Sequence, residues 1–379
     1  MEWVNKPSFC RGRVKNRLLA AYTKTPTTAT IRITMADTHL HTDCAISLPL
    51  LITGIAGVAG YNALAYFQDR YPGQVIGIRQ ADNWPLTGPG IEACNAEDRD
   101  ALVELFDKYQ FRSVLNCAGN CALKACELDS RLAWRTNVEG MITLLSICCD
   151  REVRLVHTSI DLVYAGRDLM PLNWPGYTES DPTDPVTVYG TTMVAAEQLI
   201  LDSMPSACTL RISLPMGISF NGHAGAIDWI QSRFAKNRPA TLYFDEVRTP
   251  TYTDCLNGVY ESLLANDVAG LFHAGGPRRL SLYQIAQVIN RVGGYDPALL
   301  HGCPRIEAGP IPPRAGNVTM DSSQLATALG YEPFDPWPLD EEMVPTDDLW
   351  HFERTGFQGS PELLAEVLYR NPRRVNGAA

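Results

Sequence analysis

Leu50-Leu51-Ile52-Thr53-Gly54-Ile55-Ala56-Gly57-Val58-Ala59-Gly60 decides the fold. An apolar run from Ile46 to Ile52, broken only by Ser47 and Pro49, leads into three glycines spaced G-x-x-G-x-x-G. Tyr61, Ala63, Leu64, Ala65, Tyr66 and Phe67 continue at once in a helical pattern. A buried strand, a glycine turn and a helix N-terminus make an anion site. The glycines let backbone approach a pyrophosphate, and the free N–H groups and helix dipole favour negative charge. Glycine-rich turns also arise for packing alone, but the strand before and the helix after favour a nucleotide.

Outward from this turn, strand and helix patterns alternate. Gln74–Arg79 reads as a second strand, Asp98–Tyr109 as a helix and Ser113–Cys117 as a short buried strand. Ser130–Cys149 reads as one long amphipathic helix, Val153–Ser159 as a strand, Met193–Asp202 as a helix and Ala207–Ser213 as another strand. Short apolar strands alternating with helices predict an α/β fold, a doubly wound parallel sheet with helices on both faces. Ligands of such sheets sit beyond the carboxyl ends of the strands. That rule puts Gly54–Gly60, Arg79, Asn116–Gly119, Ser159–Tyr164 and Leu214–Gly217 on one rim.

The rhythm changes after about Ser219. Ile227–Phe234 and Leu282–Val292 look helical, Ala240–Phe244 and Gly270–Ala274 look like short strands, and Pro304–Pro313 is a proline-rich loop. The expected organisation is an unstructured extension over residues 1–45 and a nucleotide-binding domain over 46–218. A smaller substrate-binding lobe follows over 219–335, with the chain free to cross back, and a C-terminal extension with one helix at Pro361–Tyr369 occupies 336–379.

The 379 residues are 45% hydrophobic and 20% charged, ordinary for a globular chain with ample core. No apolar run reaches the length of a membrane span. A formal charge of −10 argues against nucleic acid as partner, because phosphate neutralisation needs a basic surface. The eleven cysteines are scattered and form no C-x-x-C pair. Cys117, Cys121 and Cys126 lack a nearby histidine to complete a zinc set, so no metal is expected. Several thiols lie in apolar runs (Cys117, Cys148, Cys149, Cys208), which suggests buried free cysteines in a reducing cytoplasm.

Before Met35 the chain carries Lys6, Arg11, Arg13, Lys15, Arg17, Lys24 and Arg32 against a single acid, Glu2, with threonines clustered over Thr23–Thr30. Transit peptides share that balance. An extension upstream of a true start at Met35 accounts for it equally and is preferred, since Met35 lies close before the first strand. His39, His41, Asp43 and Cys44 then read as a chance cluster.

Four stretches carry a family resemblance. After Thr53–Gly60 come Asn116-Cys117-Ala118-Gly119 and His157-Thr158-Ser159-Ile160-Asp161-Leu162-Val163-Tyr164. Tyr177-Thr178-Glu179 then runs on to Pro185-Val186-Thr187-Val188-Tyr189-Gly190. Together they resemble the extended short-chain dehydrogenase/reductases, in the dTDP-4-dehydrorhamnose reductase-like branch of sugar-nucleotide enzymes. Arg248-Thr249-Pro250-Thr251-Tyr252-Thr253-Asp254, Gly275-Gly276, Pro313–Asn317 and Met320-Asp321 look like that branch's substrate lobe. The resemblance covers roughly residues 48–330 and implies a Rossmann-type domain binding NADP or NAD, a sugar-nucleotide ligand, and a homodimer or a partner enzyme.

The resemblance also implies roles. Gly54, Ile55, Ala56, Gly57, Val58, Gly60, Asn95, Cys117, Ala118, Gly119 and Tyr189 would hold the cofactor. Arg79 stands where NAD-preferring relatives carry an acid, so it suits the 2′-phosphate and puts NADP ahead of NAD. Tyr189 would pass a proton, with Asp161 beside the reacting group, and Arg248, Tyr252 and Arg314 would grip the substrate. Two positions depart from the pattern. The family's Ser or Thr falls on Ile160, and its lysine, four residues after the tyrosine, falls on Met193. Ser159 is one residue early and points to the opposite face of its strand. A tyrosine has a pKa near ~10 and needs a cation to act near neutrality. His223, between Gly222 and Gly225, reads as an exposed loop histidine, and Trp229 and Phe234 as core.

Three functions follow. One is an oxidoreductase moving hydride to a keto-sugar. The second is a non-catalytic cofactor-binding regulatory subunit or scaffold, which Ile160 and Met193 favour. The third is an epimerase or dehydratase acting on a sugar nucleotide.

Overall fold

Seven strands form the centre of the computed structural model, which describes residues 45–83, 85–166, 174–222 and 225–369. They are β1 (Leu50–Thr53), β2 (Val75–Arg79), β3 (Ile91–Ala93), β4 (Ser113–Asn116), β5 (Arg154–Ile160), β6 (Cys208–Ile212) and β7 (Gly270–Ala274). Their order is β7-β6-β5-β4-β1-β2-β3, and every neighbouring pair is parallel. A parallel sheet is covered on both faces, which is why β1 and β4 are buried at every position and read as continuous apolar runs. The winding reverses between β1 and β4, so the ligand crevice lies beyond Thr53 and Asn116. Met35, the cluster of His39, His41, Asp43 and Cys44, and His223 lie outside the described residues.

Helix Val58–Arg70 follows β1 and packs on helix Thr253–Ala265. Glu261 clamps the two by accepting from Tyr66 Oη at 2.6 Å, Tyr71 Oη at 2.8 Å and Arg70 Nε at 2.9 Å. Among the described residues, no helix is long and apolar enough to cross a membrane.

The structure departs from the sequence expectations in several places. Ser130–Cys149 is not one helix. Segments Ser130–Trp134 and Gly140–Asp150 are joined by a π-helical turn at Arg135–Glu139. Within that turn Asn137 is buried, donating to Thr192 Oγ1 at 2.8 Å and accepting from Asn120 N at 2.6 Å. Gly270–Ala274 belongs not to the smaller lobe but to the edge of the central sheet, where its backbone pairs with β6. The segment from Pro336 is packed rather than appended. Trp337, Leu364 and Leu368 are buried in one core with Ile230, Phe234, Ile285, Val288 and Ile289.

In that smaller lobe, helices Ala226–Ala235 and Leu282–Val292 pack beside the parallel pair Ala240–Tyr243 and Leu300–Cys303. Phe234 is core as expected, but Trp229 is 49% exposed, with the Arg233 guanidinium 5.7 Å from its ring centroid. Cys117 is half-buried and Cys149 exposed, whereas Cys148 and Cys208 are buried.

Candidate active site

The three glycines of the turn differ in what holds them. Gly54 has φ +68°, and a Cβ there would sit 2.1 Å from Cys117 O. At Gly60 a Cβ would sit 2.4 Å from Gly54 O. Turn conformation and close packing therefore require both. Gly57 has φ −81°, and a Cβ on it would meet only Gly54 O at 3.5 Å, an ordinary contact. Packing does not explain that glycine. It is the N-cap of helix Val58–Arg70, whose first turn has neither a side-chain cap nor an acid. The first N–H groups of a helix lack intrahelical partners, and its dipole makes that end positive. The geometry suits a phosphate.

Around this turn the strand ends are knitted together. Ala118 N donates to Thr53 Oγ1 at 3.2 Å and to Asn116 Oδ1 at 3.1 Å, and Thr53 Oγ1 donates to Asn116 Oδ1. Cys117 Sγ lies 3.5 Å from Thr158 Oγ1, and burial pushes its thiol up to about 12. Arg79 ends β2, and its Nη1 donates to the carbonyls of Gln80 and Ala81 at 2.9 and 3.1 Å. Its Nε is buried without a partner. Asn95 Oδ1 accepts from Ala81 N at 2.9 Å, tying the loop after β3 to the loop after β2.

Tyr189 stands at the start of helix Val188–Ser203, capped by Thr187. Gly190 lets this helix press against the turn after β5, since a Cβ there would lie 2.2 Å from Leu162 O. Tyr189 is buried and shares one apolar cluster with Met193, Leu162 and the partly buried Ile160. The Met193 sulfur is 4.0 Å from where a Cβ on Gly119 would stand. Burial, with Cys121, Asp161 and Cys126, raises the Tyr189 phenol well above its ordinary value, and Arg248 only opposes this. Ser159 Oγ donates to Glu197 Oε1 at 2.5 Å. It faces away from the cluster.

Asp161 and two of the residues expected to grip substrate are turned inward. Asp161 is 1% exposed, with Arg248 Nη1 on Oδ1 at 2.6 Å and Ser213 Oγ on Oδ2 at 2.6 Å. Burial works to raise its carboxyl, and the guanidinium and hydroxyl work against that. With donors on both oxygens, the ionised form fits the site. Arg248 also donates to Glu246 Oε1 at 2.9 Å. Burial disfavours its charge, but the two carboxylates raise it above its ordinary value. The Tyr252 hydroxyl accepts from Leu339 N at 3.0 Å and donates to Val367 O at 3.4 Å. Arg248 and Tyr252 thus bond the protein's own groups. Arg314 stays partly open at 25% exposure, its guanidinium 4.8 Å from the Tyr243 centroid and 3.6 Å from Glu246 Oε2.

The sequence reading missed Ser213, Glu246, Glu197, Arg211 and His273. Glu246 carried a signal, because residues two apart on an extended chain share a face, and Glu246 is two before Arg248. Glu197 likewise lies two helical steps of four from Tyr189. Arg211 grips Glu197 with Nε at 3.0 Å and Nη2 at 2.7 Å, and donates through Nη1 to Tyr164 Oη at 2.6 Å. His273 Nδ1 donates to Tyr177 O at 3.0 Å, which leaves Nε2 as an acceptor, with Tyr164 Oη at 2.9 Å and Arg211 Nη1 at 3.4 Å beside it.

Burial, together with Arg211, lowers the His273 pKa to about 3, and burial lowers that of His157 to about 4. Both imidazoles are therefore neutral in the folded chain, whereas the unfolded chain binds protons near the ordinary value of 6.5. Stability should be intact above pH 6.5 and fall as the pH drops towards 4. A urea-midpoint series against pH should show this, with a shallower acid slope in His157→Gln. An unchanged slope would mean that His157 does not contribute.

Residues 49–340 match the family described as RmlD substrate binding domain. The chain is similar to the dTDP-4-keto-6-deoxy-D-glucose reductase of Streptomyces niveus, 27% identical over 267 residues, 70% of this chain and 86% of that one. It is also similar to methionine adenosyltransferase 2 subunit beta of Danio rerio, 24% identical over 324 residues, 80% of this chain and 91% of that one. Among solved structures, the dTDP-4-dehydrorhamnose reductase of Bacillus anthracis, in complex with NADP, superimposes with a TM-score of 0.63 at 17% identity, covering 76% of this chain and 95% of that one.

Proposed function

Because the chain belongs to the RmlD substrate binding domain family, we propose that it binds a nicotinamide dinucleotide at the glycine turn and a sugar nucleotide beside it. Gly57 carries this reading, since neither its conformation nor protein packing requires it, and it opens the helix N-terminus at the sheet's switch point. Backbone groups over Gly54–Gly60 would hold the pyrophosphate, with Asn95, Cys117, Ala118 and Gly119 along the rim. The unpartnered Arg79 Nε favours NADP over NAD. Free thiols at Cys94, Cys117, Cys121, Cys126, Cys148, Cys208 and Cys303 favour the cytoplasm.

A bound nicotinamide supplies hydride. The chain must then orient a keto-sugar and deliver a proton to its carbonyl oxygen. Tyr189 is the group for that, and its phenol is held neutral with no lysine at Met193 and no hydroxyl at Ile160. It can donate a hydrogen bond but gives up its proton poorly. Transfer to a keto-sugar is therefore slow in the unmodified protein. The same two residues favour a second reading, a cofactor-binding subunit of another enzyme. The similarity to a protein named as subunit beta of methionine adenosyltransferase 2 supports that reading. Asp161 has donors on both oxygens, which disfavours an epimerase or dehydratase using it as base.

Calorimetric titration should show NADPH binding. Gly57→Asp should weaken it by filling the cradle with a carboxylate. Arg79→Ala should reduce affinity for NADPH more than for NADH. Equal losses for the two cofactors would remove Arg79 from the 2′-phosphate.

A further inference from the structure

Glu246 lies within a chain of alternating charge, Asp161–Arg248–Glu246–Arg314, buried except at Arg314. Arg248 takes its Oε1, while its Oε2 is buried with no hydrogen-bond partner. The group facing that oxygen is Arg314 Nη1 at 3.6 Å, too far for a hydrogen bond. Arg314 is unfinished in the same way, with Nε buried and unpartnered and its guanidinium resting on Tyr243. Buried polar atoms almost always find partners, so an unfilled acceptor facing an underused donor points to a ligand between them.

The charges say which ligand chemistry fits. Two carboxylates and two guanidinium groups sum to zero, so Glu246 already counters the cation that a diphosphate would need. A hydroxyl does both jobs, donating to Glu246 Oε2 and accepting from Arg314. Leu162, next to Asp161, and Ala315, next to Arg314, share one buried cluster with Tyr189. A hydroxyl-bearing group held by Glu246 and Arg314 is therefore placed on the Tyr189 side of the fold.

We propose that Glu246 and Arg314 form a subsite reading the hydroxyl groups of the ligand's sugar, with Arg314 moving to close on the ligand. The inference rests on the sugar-nucleotide reading above. It narrows Arg314 from the substrate as a whole to its sugar.

The test titrates UDP-glucose and dTDP-glucose, and separately UDP and dTDP, into the unmodified protein, Glu246→Gln and Arg314→Met. The unmodified protein should bind a sugar nucleotide more tightly than its diphosphate. Glu246→Gln should lose that preference, by roughly tenfold or more, while affinity for the diphosphate and for NADPH stays unchanged. NADPH binding also reports whether the variant folds. Should it not fold, the more exposed Arg314→Met carries the same expectation. Equal loss for sugar nucleotide and diphosphate, or no loss at all, overturns the subsite. Equal binding of sugar nucleotide and diphosphate by the unmodified protein overturns the subsite alone. Binding of neither overturns the sugar-nucleotide reading and the subsite with it.

Discussion

Ile160→Thr combined with Met193→Lys should raise reduction of a 4-keto sugar nucleotide by about 10²–10⁴-fold, the span of one well-placed acid–base contribution. A lysine at 193 lies one helical turn from Tyr189 on the same face, close to Gly119 at the rim. Its cation would lower a phenol that burial, Cys121 and Asp161 now hold up. A threonine at 160 extends from the end of β5 into the cluster containing Tyr189 and offers a hydroxyl to the developing alkoxide. Neither single change should recover as much, because groups acting as a unit are not additive. Steady-state rates for the four proteins check this. Equal rates for the double variant and the native chain would remove both positions from the chemistry.

The second large effect is on stability. Glu197→Ala should cost about 3–5 kcal/mol, because it strands a buried guanidinium whose two strong bonds end on that carboxylate. Arg211 and Glu197 side chains are only 5% and 4% exposed, so water cannot replace the lost partner. The pair joins the helix of Tyr189 to β6, and through Tyr164 and His273 to β7. The urea midpoint measures the loss. A double replacement by methionine should recover much of it, since removing both charges leaves none unpaired. A single variant as stable as the native chain would mean that Arg211 finds another anion.

The central sheet was legible because parallel strands announce themselves locally, as short apolar runs, and the glycine turn depends on neighbours in sequence. Gly270–Ala274 was legible as a strand, but its place beside β6 was not, because sheet position comes from tertiary pairing. Helix Thr253–Ala265 was overlooked although Leu256, Val259, Tyr260, Leu263 and Leu264 repeat at helical spacing and are all buried. Thr253-Asp254, read as the end of a motif, hid its first turn. The π-turn at Arg135–Glu139 interrupts a continuous helical pattern and leaves no local signature.

The site divides along the same line. Gly54 and Gly60 are fixed by steric contact, and the spacing alone announced them. For Arg248 and Tyr252, substrate contact is what the family resemblance implies, and nothing in their own spacing adds to it. Their partners are Asp161, Glu246, Leu339 and Val367, the last three distant from the motifs of the nucleotide half. A sequence shows that an arginine is present, not which carboxylate reaches it first.

The most direct test of the account follows NADPH oxidation by the unmodified protein, saturated with cofactor and offered a 4-keto sugar nucleotide, with cofactor binding measured on the same sample. The account predicts bound NADPH that is scarcely oxidised. Robust oxidation abolished by Tyr189→Phe, or no NADPH binding at all, would contradict it.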